Sequence, residues 1–253
     1  MLRTPSPGEG LREHERVAPR SEALAEHVAH FWWVRWELSA ASVVETLPHP
    51  CVHLTVEARR AEVGGVATGA FRRRLGRRGR VFGVKFRPAA FAPWLDRPLS
   101  TITDRRIPAT EIVPAAYVRE IRAATSFAAC CELAERHLLA QVPPLPPATA
   151  AIRDLVERVA RDPSLTRVEA LCDLAQLDVR TLQRRFARLV GVSPKWVIER
   201  YRLHEAAALL ARPAPPTLAE IAARLGYFDQ AHFARAFKAV VGAAPSAYLA
   251  PRR

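Results

Sequence analysis

The 253-residue sequence lacks any long apolar run. No stretch approaches the roughly 20 consecutive apolar residues that a membrane helix needs. The polar start of the chain also lacks the apolar segment of a signal peptide. We therefore expect a cytoplasmic protein with no membrane partner.

Cysteine is scarce, and the four cysteines form neither a disulfide framework nor a zinc pattern. No CxxC occurs, so we expect buried thiols that behave as small hydrophobic side chains. Phosphate-binding loops, GxSxG, HExxH and paired carboxylates are missing too. These absences predict a protein that is not an enzyme and that carries no cofactor and no metal.

One short pattern is compatible with a metal site. His49, Cys51 and His53 alternate, and on a strand their side chains would share one face. No carboxylate lies nearby in the sequence to complete a site, and Pro48 and Pro50 interrupt the pattern. We therefore favour ordinary, partly buried side chains over metal ligands.

Lysine is nearly absent as well, with only three, so almost all of the positive charge is arginine. Lys and Arg total 38 against 25 Asp and Glu, which gives a formal net charge of +13 at pH 7. Such a charge favours nucleic acid or an anionic surface as a partner. An arginine-, alanine- and proline-rich composition also arises from a GC-rich genome, so the charge alone does not assign a function.

The chain divides into stretches of different pattern. Polar residues 1–20 predict a flexible arm. Residues 21–140 contain short β-type runs, such as HFWWVRWEL and CVHLTVEA, followed by helical spacing. They predict an α+β sensor or dimerisation domain, built from a small antiparallel β-barrel or sheet plus helices. Prolines in 141–149 predict an extended linker, and residues 150–253 have helical patterns throughout.

An internal repeat with an offset of 51 residues occupies the helical part. Residues 166–194 align with 217–245, and the identical pairs include Thr166 with Thr217, Glu169 with Glu220, Asp178 with Asp229, and Gly191 with Gly242. The Thr-x-x-Glu pairs predict capping boxes, the Asp pair predicts N-caps of a second helix, and the Gly pair predicts its end. Each copy therefore has the pattern of a helix-turn-helix unit.

The second helix of each copy has a polar face rich in arginine and glutamine. This face contains Arg180, Thr181, Gln183, Arg184 and Arg188 in the first copy, and Gln230, Arg235 and Lys238 in the second. Arg and Gln side chains can form paired hydrogen bonds with guanine and adenine edges in the major groove. Solvated faces of a helical bundle are the alternative, but two copies with the same caps and the same arginine position favour DNA.

Residues 180–211 and 218–249 together resemble the AraC/XylS-type DNA-binding domain of bacterial transcription regulators. The specific features are Gly226-Tyr227, Phe233, Phe237-Lys238, Gly242 and Pro245-x-x-Tyr248. The resemblance covers about residues 150–250 and implies an all-α domain of seven helices. In that fold two helix-turn-helix units, here about 166–191 and 217–242, are joined by a long helix.

The same resemblance implies how the domain binds double-stranded DNA. Helices 178–190 and 229–241 would read two adjacent major grooves. Base contacts are implied for Arg180, Gln183, Arg184, Gln230, Ala231 and Arg235, and phosphate contacts for Lys195 and Lys238; Thr181, Arg188 and Thr217 complete the candidate DNA-binding residues. One departure is Ala175-Gln176-Leu177 in the first turn, where many family members have glycine, so we expect slight strain or a differently shaped turn there.

Residues 83–108 are similar to the sensor-side domains of a subgroup of this family. That similarity implies that the N-terminal domain senses a small-molecule effector, forms a homodimer or does both, and RNA polymerase is a further candidate partner. Two alternatives remain: an Ada-like regulator with a reactive cysteine, and a metal- or ligand-binding barrel whose helical domain mediates other contacts. We interpret the arginine run at 72–80 as a solvated hairpin tip rather than a second nucleic-acid contact.

Overall fold

The N-terminal half is built on antiparallel strands. The computed structural model describes residues 10–248. Its strands are β1 (Gly10–Val17), β2 (Val28–Leu38), β3 (Ser42–Thr46), β4 (His53–Glu57), β5 (Ala61–Gly64), β6 (Phe71–Leu75), β7 (Arg78–Phe86) and β8 (Arg106–Pro108). Over these residues, six strands pair in the order β1-β2-β7-β4-β5-β8, and β3 and β6 form a separate two-stranded ribbon.

Three α-helices pack against this sheet in the described part of the N-terminal half, which also contains 3₁₀ helices at Ala92–Trp94, Leu99–Ile102 and Ala109–Glu111. The α-helices are α1 (Glu22–Ala25), α2 (Ala115–Ala123) and α3 (Phe127–Leu139). Their apolar faces share one core with the strands, in which Phe31, Leu54, Val84, Tyr117 and Leu138 are all fully buried. The predicted α+β class, with a small antiparallel sheet followed by helices, is confirmed.

The flexible arm predicted over residues 1–20 is wrong for residues 10–17. These residues form β1, which pairs antiparallel with β2 along its whole length, from Gly10 opposite Leu38 to Val17 opposite Phe31. The side chains at 14–17 are exposed, since β1 lies at the edge of the sheet. Such a strand shows no apolar alternation by which a sequence pattern could identify it. Residues 1–9 of the predicted arm lie outside the described residues.

The C-terminal half is helical. Its helices are α4 (Pro147–Arg161), α5 (Val168–Ala175), α6 (Val179–Leu189), α7 (Pro194–Leu210), α8 (Leu218–Arg224) and α9 (Gln230–Val241). Up to residue 248 these six α-helices are followed by a 3₁₀ turn at Pro245–Tyr248, where the resemblance implied seven helices. None of the helices between residues 10 and 248 is both long and apolar enough to cross a membrane.

The proline-rich linker is shorter than the predicted 141–149. Helix α4 begins at Pro147, with Pro146 as its N-cap, so the last three residues of the predicted linker belong to the helix. Proline is accepted at the first helical position because the N–H that it lacks has no partner there, and its fixed φ suits a helix.

Residues of the N-terminal half complete the packing of the C-terminal half. Arg87 Nη1 donates to Glu157 Oε1 of α4 at 2.7 Å, and Thr103 Oγ1 donates to the carbonyl oxygen of Gly191 at 2.6 Å. Leu47 is buried in the apolar core formed by α7, α8 and α9. The second helix-turn-helix unit therefore depends on a side chain from the other half for part of its core.

Candidate DNA interface

Two helix-turn-helix units lie on either side of α7. The first is α5 and α6, and the second is α8 and α9. Both predicted aspartate N-caps are confirmed: Asp178 Oδ1 accepts from the Thr181 N–H at 2.9 Å, and Asp229 Oδ1 accepts from the His232 N–H at 2.6 Å. The N–H bond from Thr181 holds the pKa of Asp178 below its ordinary value, so the carboxylate stays charged at the helix N-terminus.

The second unit also contains the predicted capping box. Thr217 Oγ1 accepts from the Glu220 N–H at 3.2 Å, and Glu220 Oε2 accepts from the Thr217 N–H at 2.8 Å. These reciprocal bonds satisfy two N–H groups that have no partner within the first turn of α8. The N–H bond from Thr217 also lowers the pKa of Glu220 from its ordinary value.

The capping box predicted for the first unit is wrong. Helix α5 begins at Val168 with Arg167 as N-cap, and no side chain caps it. With Arg167 as the N-cap, a capping box would need its acidic side chain at position 170, and Glu169 lies one residue before it. Thr166 instead lies against the second unit, where its Cγ2 is 3.2 Å from the position that a Cβ on Gly226 would occupy. Thr166 thus lies beside the turn of the second unit and does not cap α5.

The turns of the two units have the same backbone shape but different residues. Gln176 has φ 50° and Gly226 has φ 69°, both in the left-handed region. In each unit the next N–H closes the turn, from Leu177 to the carbonyl of Cys172 and from Tyr227 to that of Ala222. The strain expected at Gln176 is confirmed by its positive φ, since a side chain there crowds the backbone.

We call α6 and α9, the second helices of the two units, the recognition helices. Buried aromatic and aliphatic side chains fix the rotation of each one about its axis. Leu182 and Phe186 of α6 are fully buried, as are Phe233 and Phe237 of α9. The opposite face of each helix is therefore turned to solvent. The exposed residues on these faces are Arg180, Gln183, Arg184 and Arg188 on α6, and Gln230, Ala231, Arg235 and Lys238 on α9, while Thr181 is half-buried.

The cationic side chains on these two faces have no internal partners. Within residues 10–248, none of Arg180, Arg184, Arg188, Arg235 and Lys238 forms an ion pair or a side-chain hydrogen bond. Both faces therefore present unneutralised donors. Groups of this kind can bind phosphate oxygens or the acceptor atoms of guanine without breaking an existing contact.

The remaining two candidate DNA-binding residues lie outside the recognition helices. Lys195 is in the first turn of α7, exposed, with its Nζ 3.8 Å from Glu199 Oε1. Thr217 caps α8, so its hydroxyl is already engaged with Glu220. The structure thus gathers the other predicted residues onto two helix faces and leaves these two at helix starts.

The residues of the alternating His-Cys-His pattern do not converge. His49 stacks on His204 with ring centroids 3.9 Å apart, whereas His53 meets the edge of Trp32. Burial raises the pKa of the Cys51 thiol to about 11. Across residues 10–248 no group of three or more His, Cys, Asp or Glu side chains is arranged to hold a metal.

The cysteine environments argue against the Ada-like alternative. That chemistry requires a thiolate, which forms in exposed, electropositive surroundings. Burial instead raises the pKa of the Cys130 thiol to about 11 and that of Cys131 to about 12. Cys172 is buried in the core of the first unit.

The arginine run at 72–80 is partly engaged in the fold. Arg72 pairs with Glu45 at 3.0 Å, Arg73 pairs with Glu57, and Arg80 Nη1 donates to the carbonyl of Ala124 at 2.5 Å. Arg74, Arg77 and Arg78 are exposed. Both ends of the run are therefore engaged in the fold, and its middle, at the turn between β6 and β7, is solvated.

Sequence reasoning missed Phe228 at the start of the second recognition helix. Its ring is 92% exposed. The 51-residue offset pairs it with Leu177, but in the structure Leu177 and Tyr227 occupy the same place after the left-handed residue, and Phe228 is an extra residue before Asp229. The first helices and their turns correspond at an offset of 50 and the second helices at 51, so a single offset could not show that Phe228 has no counterpart.

Two stretches of the chain match known families. Residues 171–250 match a helix-turn-helix domain, and residues 15–108 match a domain of unknown function, DUF6597. Over 81 residues the chain is 36% identical to an uncharacterized HTH-type transcriptional regulator of Haemophilus influenzae, covering 32% of this chain and 27% of that protein. Over 82 residues it is 35% identical to the HTH-type transcriptional activator RhaR of Pectobacterium carotovorum, covering 32% and 28%. The chain thus spans under a third of the length of the curated relatives that it matches.

A solved structure shows a similarity confined to part of this chain. It is a probable AraC family transcriptional regulator from Rhodopseudomonas palustris, 30% identical, with a TM-score of 0.36. The match covers 41% of this chain and 97% of that chain.

Proposed function

Because residues 171–250 match a helix-turn-helix domain, we propose that this protein is an AraC-type transcription regulator that binds double-stranded DNA in a sequence-specific manner. The observation that carries the proposal is the pair of exposed, unpaired arginine faces on α6 and α9. Both helices begin at an aspartate cap and are held by fully buried phenylalanines, so both faces are rigidly presented. A regulator of this kind acts in the cytoplasm by binding, without an enzymatic step.

The proposal assigns roles to individual residues. Arg180, Gln183 and Arg184 contact base edges from α6, and α9 contributes Gln230, Ala231 and Arg235 in the same way. Arg188, Lys195 and Lys238 contact phosphates, and Thr181 and Thr217 lie at helix starts next to the DNA backbone.

The connecting helix sets the spacing of the two units. Helix α7 has 17 residues and so spans about 25 Å. Successive major grooves on one face of straight B-DNA are about 34 Å apart. Pro194 begins the helix and Pro213 follows its end, which prevents extension. We propose that the DNA bends to bring both grooves within reach, a deformation that costs on the order of 1–6 kcal/mol.

Selection of binding sites from random DNA with the full chain tests the function. On the selected site, Arg184→Ala and Arg235→Ala should each cost about 1–3 kcal/mol and relax the preference at particular base pairs. Lys238→Ala should weaken binding to all sequences alike and reduce the salt slope by about one. Arg119→Ala is the matched control, since Arg119 is an exposed arginine on α2. If no duplex is bound better than random DNA, the proposed function is wrong.

We also propose a division of labour between the halves. Residues 150–253 bind DNA, while residues 21–140 bind an effector, form a dimer or do both, and RNA polymerase is the expected partner of a DNA-bound regulator. The fragment 150–253 is expected to select the same sequence as the full chain. It should be less stable, because Leu47 and Val66 are missing from its cores. Sedimentation of the full chain tests the dimer.

A further inference from the structure

Phe228 is the most exposed of the large hydrophobic side chains in the described part of the chain. Its ring is 92% exposed, and the next such residue, Val43, is 60% exposed. An aromatic ring left in water forgoes the free energy that its burial would release. The position of Phe228 shows where that burial can occur, because the residue directly precedes Asp229, the N-cap of α9.

The core of the second unit does not use Phe228. Tyr227, its neighbour, is 8% exposed and packs on Phe233 with ring centroids 5.3 Å apart. The inward place in this turn is therefore already filled by an aromatic side chain. In the first unit Leu177 occupies the place of Tyr227, packs partly against its own core and is followed directly by the N-cap Asp178, so that turn has no counterpart of Phe228. The exposed ring is thus a property of the second unit alone.

The surroundings of the ring are those of a base-reading surface. Gln230 and Ala231, which follow in the first turn of α9, are both exposed. The N-terminal residues of a recognition helix are the ones that contact base edges in the major groove. Ala231 has a small side chain, so it does not hold a base away from the start of α9.

Resting on the proposed function, we propose that Phe228 is a specificity-determining residue whose ring packs on the C5 methyl group of a thymine in the groove read by α9. Thymine is the only base of unmodified DNA that presents a methyl group in the major groove. A ring without donors or acceptors distinguishes thymine from cytosine by that methyl group alone. The contact would also bury the exposed ring when DNA binds.

The experiment replaces thymine with deoxyuridine, which lacks only the methyl group, at each position of the site selected by the full chain. Wild-type protein should lose about fourfold in affinity at one or two positions under α9, the value of one buried methyl group. Phe228→Ala should lose about tenfold on the thymine site and be indifferent to deoxyuridine at those positions. Phe228→Leu keeps an apolar side chain and should retain part of the deoxyuridine sensitivity.

Val43→Ala is the control, since it removes an exposed apolar side chain from the β3–β6 ribbon and should change neither affinity nor deoxyuridine sensitivity. The same deoxyuridine sensitivity in wild type and Phe228→Ala would overturn the inference and leave the proposed function intact. Normal DNA binding by Phe228→Ala, with loss of transcription in a purified polymerase assay, would also overturn it and assign the ring to a protein contact. Failure of the wild type to select any site would overturn both proposals.

Discussion

Gln176 ends α5 in a left-handed backbone conformation, with φ 50° and ψ 48°. An L side chain in that region costs roughly 1–2 kcal/mol, because its Cβ crowds the backbone. Glycine avoids this crowding but loses more conformational freedom on folding, which offsets about 0.4–1 kcal/mol. Gln176→Gly is therefore expected to raise the free energy of unfolding by about 0.5–1 kcal/mol.

The substitution sacrifices no other contact. The side chain of Gln176 is exposed and forms no hydrogen bond or ion pair within residues 10–248. For a chain of this size, a gain of 1 kcal/mol corresponds to a rise in Tm of about 2–4 °C, which thermal unfolding followed by tryptophan fluorescence can detect. Gln176→Ala is the control, because it removes the polar group and keeps the Cβ; its free energy of unfolding should stay within about 0.5 kcal/mol of the wild type.

The reciprocal change in the second unit should have the opposite sign. Gly226 has φ 69°, and a Cβ there would lie 3.2 Å from Thr166 Cγ2. Gly226→Ala is therefore expected to lower the free energy of unfolding by about 0.5–1 kcal/mol, the backbone cost less the gain from restricting the unfolded chain. A lower Tm for Gln176→Gly would refute the reasoning. So would an equal gain from Gln176→Ala, since the benefit would then come from the side chain rather than from the backbone.

Three further predictions concern stability. Burial lowers the pKa of His49 to about 2 and that of His204 to about 4, from 6.5, so the unfolded chain binds protons that the folded chain does not. As the pH falls from 6.5 towards 4, the free energy of unfolding measured with urea should decrease by up to about 1.4 kcal/mol per pH unit for each histidine. A free energy of unfolding that does not change over this pH range would contradict the burial of the stacked pair. Arg200→Ala should lower the free energy of unfolding by about 2–4 kcal/mol. The reason is that Arg200 is 2% exposed, donates to the carbonyl of Thr68 and packs on the Trp196 ring. Chemical denaturation measures this loss, and a change under 1 kcal/mol would contradict it. Asp178→Ala and Asp229→Ala should each cost about 1 kcal/mol through loss of an N-cap, and hydrogen exchange should show faster opening only in the first turn of the affected helix.

The features that could be predicted from sequence are those set by residues close together in the chain. Asp178, Asp229 and the Thr217–Glu220 box form hydrogen bonds across three positions, so the sequence contains both partners. Gly191 and Gly242 have φ values of 92° and 82°, a conformation that glycine alone adopts without strain. The two units, their recognition helices and the exposed arginine faces follow from these signals together with helical spacing.

Features that depend on distant residues required the tertiary structure. The 51-residue offset pairs Thr166 with Thr217, yet Thr166 lies beside Gly226 and Arg167 is the N-cap of α5. Residues 10–17 have no apolar alternation and form a strand only because β2 offers an edge. Leu177 and Tyr227 each follow the left-handed residue of their turn and pack inward, whereas Phe228, the extra residue of the second turn, is left in solvent. Local hydrogen bonds and φ preferences are encoded within a few residues, whereas burial is decided by side chains that the fold brings from elsewhere.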